Sequence, residues 1–291
     1  MDSTVIVRPP SEASSLLLPV TVGCSHNKCT FCGTYYDFEF GVRASDDIKR
    51  DIDGVARNHA SAVRRVFLEN GDALIAPQQV LLEVLDHLYH RFPRLERAGT
   101  YATPRSALLK TVDELVELRE HGLKIAYLGA ETGDDEVLKK VCKGATRDQI
   151  VEAGKKLKQA GITTSVTVIL GLAGVEGSEK HAIATGKLLG EIDPDFAGAL
   201  TLMLVPGTPL YNDCKEGKFT LITPFQSLVE LKLIVENAEF TNCFFTANHA
   251  SNYLPIRARL PEQKAELLQL IDSVLAEKDV SRLRPENTRA L

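Results

Sequence analysis

Short apolar runs recur along this chain at intervals too long for hairpins, and amphipathic segments fill the spaces between them. Apolar runs fall at 16–22, 65–68, 98–102, 124–128, 162–170 and 197–205. Amphipathic helices are predicted at 46–58, 78–90, 112–120, 134–141, 146–160 and 179–191. Runs that alternate in this way call for parallel strands joined by right-handed helical crossovers. The fold class predicted is therefore α/β. Six strand-helix pairs, where a closed barrel needs eight, describe a partial (β/α)6 TIM-like barrel of parallel strands. The domain reading is an amino-terminal segment 1–15, a barrel core 16–211, and a small helical extension 212–291 that closes the barrel, with helices near 225–238 and 261–277.

Composition narrows the class of protein without naming it. Hydrophobic residues make up 44% and charged residues 25% of the chain, with a net charge of −5. No long basic run is present, which argues against nucleic acid as the main partner. There is no apolar stretch of about 18 residues and no charged-then-apolar leader, so no membrane span is expected and a cytoplasmic protein is. In that compartment thiols stay reduced, and grouped cysteines bind metals or do chemistry.

Half of the six cysteines are grouped in Gly23-Cys24-Ser25-His26-Asn27-Lys28-Cys29-Thr30-Phe31-Cys32-Gly33. Thiolates are soft ligands for iron-sulfur clusters, zinc or Cu(I). No fourth cysteine is close in sequence, so one metal position would stay open, unlike a closed structural zinc site. The loop follows the first strand, at the end where α/β folds carry their sites. Cys142, Cys214 and Cys243 are dispersed and read as buried thiols.

Four turns then carry a resemblance. The cysteine loop, with an aromatic Phe31 just before its third thiol, resembles the cluster loop of radical S-adenosylmethionine (SAM) enzymes. Its spacing of four residues and then two differs from the superfamily's common three and two and gives a longer first lobe. Glu69-Asn70-Gly71-Asp72 resembles the turn after the second strand that receives the ammonium of SAM. Gly129-Ala130-Glu131-Thr132-Gly133 resembles the Gly-x-Glu-Ser-Gly element of the methylthiotransferase and coproporphyrinogen dehydrogenase branch. Gly171-Leu172-Ala173-Gly174 resembles the fifth-strand turn that packs on the adenine.

The resemblance implies one 4Fe-4S cluster on Cys24, Cys29 and Cys32, with SAM on the fourth iron. By the same token Phe31, Glu69, Asn70, Gly71, Asp72, Glu131, Thr132, Gly171 and Leu172 would line the cofactors, and Glu131 would bind SAM or orient substrate. It further implies reductive cleavage of SAM, hydrogen abstraction from a small-molecule substrate, sensitivity to oxygen, and an electron donor such as flavodoxin or ferredoxin.

From the residues themselves, Arg105 stands at the predicted catalytic rim, able to pair with a carboxylate. His249, in the polar string 248–252, is a candidate acid or base. The aromatic stretch 35–40 reads either as a lid on the cluster or as a packed surface loop. The short stretch before Cys24 leaves no room for a cobalamin-binding domain, and the short tail little for an RNA-binding module. Two other classes compete. One is a non-catalytic iron-sulfur or zinc-binding barrel. The other is a conventional barrel hydrolase or lyase, for which Glu69, Asp72 and Glu131 are the only carboxylates at strand ends.

Overall fold

Pro19, which has no amide hydrogen to give to a ladder, ends the first strand sooner than the apolar run 16–22 implies. The computed structural model, which describes residues 7–290, has β1 at Leu16–Pro19 and a separate β2 at Thr21–Val22. β2 pairs antiparallel with β3 (Gly41–Val42). The first six residues of the predicted segment 1–15 lie outside the described residues.

The chain divides into two compact units. The first comprises residues 1–27, 34–129 and 153–164. Besides β1 to β3 it contains α1 (Ser45–His59), β4 (Arg65–Glu69), α2 (Gln78–Arg91), β5 (Arg97–Ala102), α3 (Pro104–Leu109), α4 (Val112–Glu120) and most of β6 (Leu123–Glu131). β1, β4, β5 and β6 pair in that order and in parallel. One side of α2 buries Leu81, Val84, Leu85 and Leu88, a 3.6-residue stripe whose removal from water supplies roughly 1.5–3 kcal/mol per side chain. On the strands, Phe67, Tyr101 and Tyr127 pack edge to face, with Phe67 and Tyr101 centroids 4.9 Å apart. Glu12 is buried there and paired with Arg97 at 2.7 Å. α3 escapes the hydrophobic pattern because it is short; a Thr103–Ser106 capping box starts it.

The second unit comprises residues 28–33, 130–152 and 165–291. It contains α5 (Asp135–Lys140), the first part of α6 (Arg147–Gln159), nearly all of β7 (Thr163–Leu170), α7 (Gly174–Ile192), β8 (Phe196–Thr201), α8 (Pro209–Lys215), α9 (Pro224–Asn237), β9 (Cys243–Thr246), β10 (Arg257–Leu260) and α10 (Lys264–Glu277). β7, β8 and β9 are parallel neighbours, and β10 closes the edge antiparallel to β9. The segment 212–291 is thus more than helical, because it adds two strands to the sheet. α10 begins at Lys264, so Pro261 precedes the helix and is not in its first turn. α7 begins at Gly174, directly after the turn that ends β7.

The fold is a mostly parallel α/β barrel fragment. Among the described residues no helix is long and apolar enough to cross a membrane.

Candidate functional site

In the first unit, the turn after β4 is built against the start of the cysteine loop. The Gly71 amide donates to Gly23 O at 3.1 Å. A Cβ on Gly71 would lie 2.6 Å from Cys24 Cβ and 3.1 Å from its Sγ, so only glycine lets the first cysteine pack there. Asn70 has φ +79°, the left-handed conformation that asparagine tolerates better than most residues. Its side-chain amide donates to Thr21 O at 2.8 Å, which fastens the turn to β2.

The two carboxylates of this turn differ. Asp72 accepts from the hydroxyls of Ser25 at 2.6 Å and Thr103 at 2.9 Å and from the Thr103 amide at 3.4 Å. Burial pushes its carboxyl up, against the pull of these donors and of Ser106. Glu69 is 3% exposed, and its Oε1 is buried with no hydrogen-bond partner among the described residues. Desolvation raises its pKa while Arg8 lowers it. A buried, unsatisfied carboxylate oxygen is costly to fold, and a ligand ammonium would supply the missing donor. Of the two carboxylates, Asp72 is engaged in holding the turn, and Glu69 is the one with an oxygen left for a donor.

In the second unit, Cys29 and Cys32 lie on a tight lobe closed by the Cys32 amide on Cys29 O at 3.2 Å. The Thr30 amide donates to Val141 O at 3.0 Å and Thr30 O accepts from the Leu210 amide at 3.0 Å. Phe31 packs on a cluster of Val137, Val141, Leu172, Leu202 and Leu210. Phe31 and Leu172 are thus parts of one apolar body that seats the lobe. Gly171 has φ +80°, and a Cβ there would meet Ile222 at 2.9 Å.

Glu131 ends β6 at φ +67°, a conformation that costs a non-glycine residue roughly 1–2 kcal/mol. Its Oε1 pairs with Lys143 Nζ at 2.7 Å, with side chains 13% and 9% exposed. Nothing in the local sequence marks Lys143 as its partner. Thr132 is fully buried, and its hydroxyl faces His181 Nδ1 at 2.7 Å and accepts from the Asp134 amide at 3.0 Å. The Thr132 hydroxyl is thus engaged within the protein.

Three further expectations concern Arg105, His249 and the dispersed cysteines. Arg105 is exposed in the first turn of α3 and has no hydrogen-bond or ionic partner among the described residues. His249 accepts the Ser251 amide at Nδ1, 3.2 Å away. That amide can only donate, so the neutral ring carries its hydrogen on Nε2. Burial and the nearby Arg284 lower its pKa, which favours this neutral form and makes the ring a donor in place of a base. The polar string is fastened to β8, with Asn252 accepting from Thr201 at 2.9 Å and donating to Ala199 O at 2.9 Å. Arg289, which the sequence did not single out, ties this string down through Ser251 O at 2.7 Å and Leu202 O at 3.0 Å. None of the six cysteines is in a disulfide, and only Cys243 of the three dispersed ones is buried; Cys142 is exposed and Cys214 half-buried. The other two are therefore not the core thiols expected.

A mostly parallel α/β barrel fragment, with a three-cysteine loop past its first strand and carboxylates on the turns after its inner strands, defines a class of cofactor-dependent barrel enzyme. Residues 18–185, more than half of the chain, match the model of the Radical SAM superfamily, and the chain belongs to that family. It is 22% identical over 226 residues to an uncharacterised methyltransferase of Pyrococcus horikoshii, covering 76% of this chain and 46% of that protein. Coproporphyrinogen III oxidase of Escherichia coli, a radical SAM enzyme, has a similar fold, with a TM-score of 0.59 and 19% identity over 76% of this chain and 51% of that one. The radical SAM methyltransferase TsrM of Kitasatospora setae, solved with cobalamin and a 4Fe-4S cluster, has a TM-score of 0.56 and 17% identity over 70% of this chain and 39% of that one. The chain thus spans about half or less of the length of these relatives.

The residues present fit the family's cofactors. The donor set is three thiols within nine consecutive residues, Cys24 to Cys32, soft ligands suited to iron and sulfide. The buried, unpartnered oxygen of Glu69 suits an ammonium.

Proposed function

We propose that this chain binds one 4Fe-4S cluster through Cys24, Cys29 and Cys32, binds SAM beside it, and acts by radical chemistry on a small molecule. One observation supports this reading most. The first cysteine packs directly on the turn that carries Glu69, and a buried oxygen of that carboxylate has no donor. A cluster ligand and a receptor for an amino group are therefore neighbours, as a ligand chelating iron through its own amino-acid end requires.

A 4Fe-4S cluster held by Cys24, Cys29 and Cys32 would, when reduced, supply the electron for reductive cleavage of SAM. The chain's own residues bind, orient and exclude water. Glu69 holds the ammonium, while Ser25 and Thr103 hold Asp72 and with it the turn. The Gly171-Leu172 turn is the seat proposed for the nucleoside end. Glu131, strained and paired with Lys143, is a preorganised carboxylate for SAM or substrate, and His249 presents a neutral Nε2 hydrogen as a donor. Arg105 has no partner among the described residues to release before it meets a substrate carboxylate. The electron is proposed to come from a flavodoxin- or ferredoxin-type donor.

The test is anaerobic. The protein is reconstituted with iron and sulfide and reduced, SAM is added, and 5'-deoxyadenosine is measured beside a Cys29→Ala variant. Nucleoside from the intact protein alone is the expected outcome. A stable cluster whose spectrum ignores SAM, with no nucleoside released, would overturn the reading in favour of a non-catalytic iron-sulfur protein.

A further inference from the structure

Behind the turns after β6 and β7 the second unit contains a buried polar chain that no step above uses. Glu230 of α9 is completely buried. Its Oε2 accepts the Gly171 amide at 2.6 Å and its Oε1 accepts the Ser178 hydroxyl at 2.6 Å. His181 Nε2 lies 3.7 Å from Oε2 and 3.2 Å from Ile169 O. A carbonyl can only accept, so the hydrogen of the ring is on Nε2, and Nδ1 accepts from Thr132 at 2.7 Å. Thr185 closes the set, donating to His181 O at 2.7 Å and accepting the Gly133 amide at 3.0 Å. Every donor and acceptor in this chain is matched, which is how a buried polar network becomes rigid.

We propose that Glu230 is a positioning residue for the nucleoside end of SAM: its carboxylate holds the Gly171-Leu172 turn by the Gly171 amide, and His181 links that hold to the Glu131-Thr132 turn. The inference rests on the radical SAM reading of the site. Gly171 is at a positive φ with Ile222 close enough to exclude a Cβ, and the amide bond to Glu230 fastens the turn in that position. An apolar residue in this place on α9 would leave the Gly171 amide buried without an acceptor.

Burial pushes the Glu230 carboxyl up to about 7, against the pull of Ser178 and Gly171. The groups facing it are Ser178 and His181 of α7 and the Gly171 amide. His181 is held neutral, its pKa lowered to about 4 by burial against the raising effects of Ile169 O and Asp134. Asp134 is itself paired with the exposed Lys180 at 3.1 Å. On protonation the carbonyl oxygen still accepts the Gly171 amide but without its charge, so the hold on the turn weakens below neutral pH to about that of an amide.

The experiment compares wild type, Glu230→Ala, Glu230→Gln and Ser178→Ala. Equilibrium dialysis gives the SAM dissociation constant of each reconstituted protein from pH 6 to 8.5, and hydrogen exchange of the Gly171 amide is followed without SAM. Glu230→Ala is expected to weaken SAM binding about tenfold, as loss of one hydrogen bond near 1.4 kcal/mol would, and to speed Gly171 exchange by a similar factor. Glu230→Gln keeps an acceptor for the amide. It is expected to bind within about threefold of wild type at pH 8 and to lose the decline in affinity that wild type shows towards pH 6. Ser178→Ala leaves the Gly171 bond in place and is expected to change SAM affinity by less than about threefold.

Wild-type binding of SAM by Glu230→Ala, with Gly171 exchange unchanged, would overturn the role of Glu230 and leave the radical SAM reading standing. A Glu230→Gln variant as weak as Glu230→Ala would do the same. Failure of the wild-type protein to bind SAM would overturn the radical SAM reading itself, and with it the ligand named here.

Discussion

The turns after β4 and β6 each end a parallel strand in a carboxylate, yet the two carboxylates are treated in opposite ways. Glu69 keeps a buried oxygen without a donor, and desolvation raises its pKa. Glu131 is strained at φ +67° and has its donor built in, Lys143 at 2.7 Å. An unpartnered buried acceptor destabilises the protein alone and favours any ligand that brings a donor. A paired acid in a strained seat is preorganised and stays put whether or not a ligand arrives. The same side chain thus keeps an oxygen open for a donor in one turn and is fixed by its partner in the other.

Removing charge at each site should separate the two. Glu131→Gln takes the carboxylate charge away from Lys143, which is only 9% exposed in its side chain, and breaking one side of a buried pair costs roughly 3 kcal/mol. Urea unfolding at pH 7.5 should show that loss, and a Glu131→Gln/Lys143→Met double variant should recover most of it. Equal stability of wild type and the single variant would show that the pair is not what holds Glu131.

Glu230 gives the pH-dependent counterpart. Its carboxyl rises from 4.5 to about 7 on folding. The folded protein then keeps a proton that the unfolded chain has released. The penalty is absent below pH 4.5, grows between 4.5 and 7, and is complete above 7. Glu230→Gln removes it, so the variant should match wild type near pH 4 and exceed it by about 3 kcal/mol at pH 8. Parallel stability curves across that range would contradict the burial argument.

A smaller effect of opposite sign to Glu131→Gln is expected at the receptor. Glu69→Gln takes away a buried carboxylate one oxygen of which has no donor among the described residues, so stability at pH 7.5 should hold or rise by up to about 1 kcal/mol. SAM affinity should fall roughly 10- to 100-fold, since a charge-assisted hydrogen bond contributes about 1.5–3 kcal/mol. A Glu69→Gln variant that binds SAM normally would return the ammonium to Asp72 and end the contrast between the two turns.

How much of this was legible follows from range along the chain. Hydrophobic period placed α4 at 112–120 to the residue and β7 to within one, because each reads its own burial locally. β9 and β10 were missed because four-residue strands, Cys-Phe-Phe-Thr and Arg-Ala-Arg-Leu, carry too little alternation to stand out. The cysteine loop was legible from spacing, and it lies within the residues 18–185 that match the family. Partnerships across tens of residues were not, as with Glu230 and Gly171 or Asp72 and Thr103. One local signal did exist. In α9 the buried stripe runs Ser227, Leu228, Glu230, Leu231, Ile234, and an acid on the apolar face of a helix is a partner waiting to be found.

The finest test concerns Asn70, where the backbone conformation and a side-chain bond contribute together. At φ +79° an alanine would meet the left-handed penalty and lose the bond to Thr21 O, 2.8 Å long. Asn70→Ala should therefore cost about 1–2 kcal/mol. Asn70→Gly also loses the bond but adopts the conformation freely, so its cost should stay within about 1 kcal/mol. Because the bond to Thr21 fastens the turn against which Cys24 packs, cluster retention after brief exposure to chelator should follow the same order, wild type above glycine above alanine. If glycine and alanine lose iron equally fast while their stabilities differ, then the tether to β2, and not the shape of the turn, is what keeps the first cysteine in place.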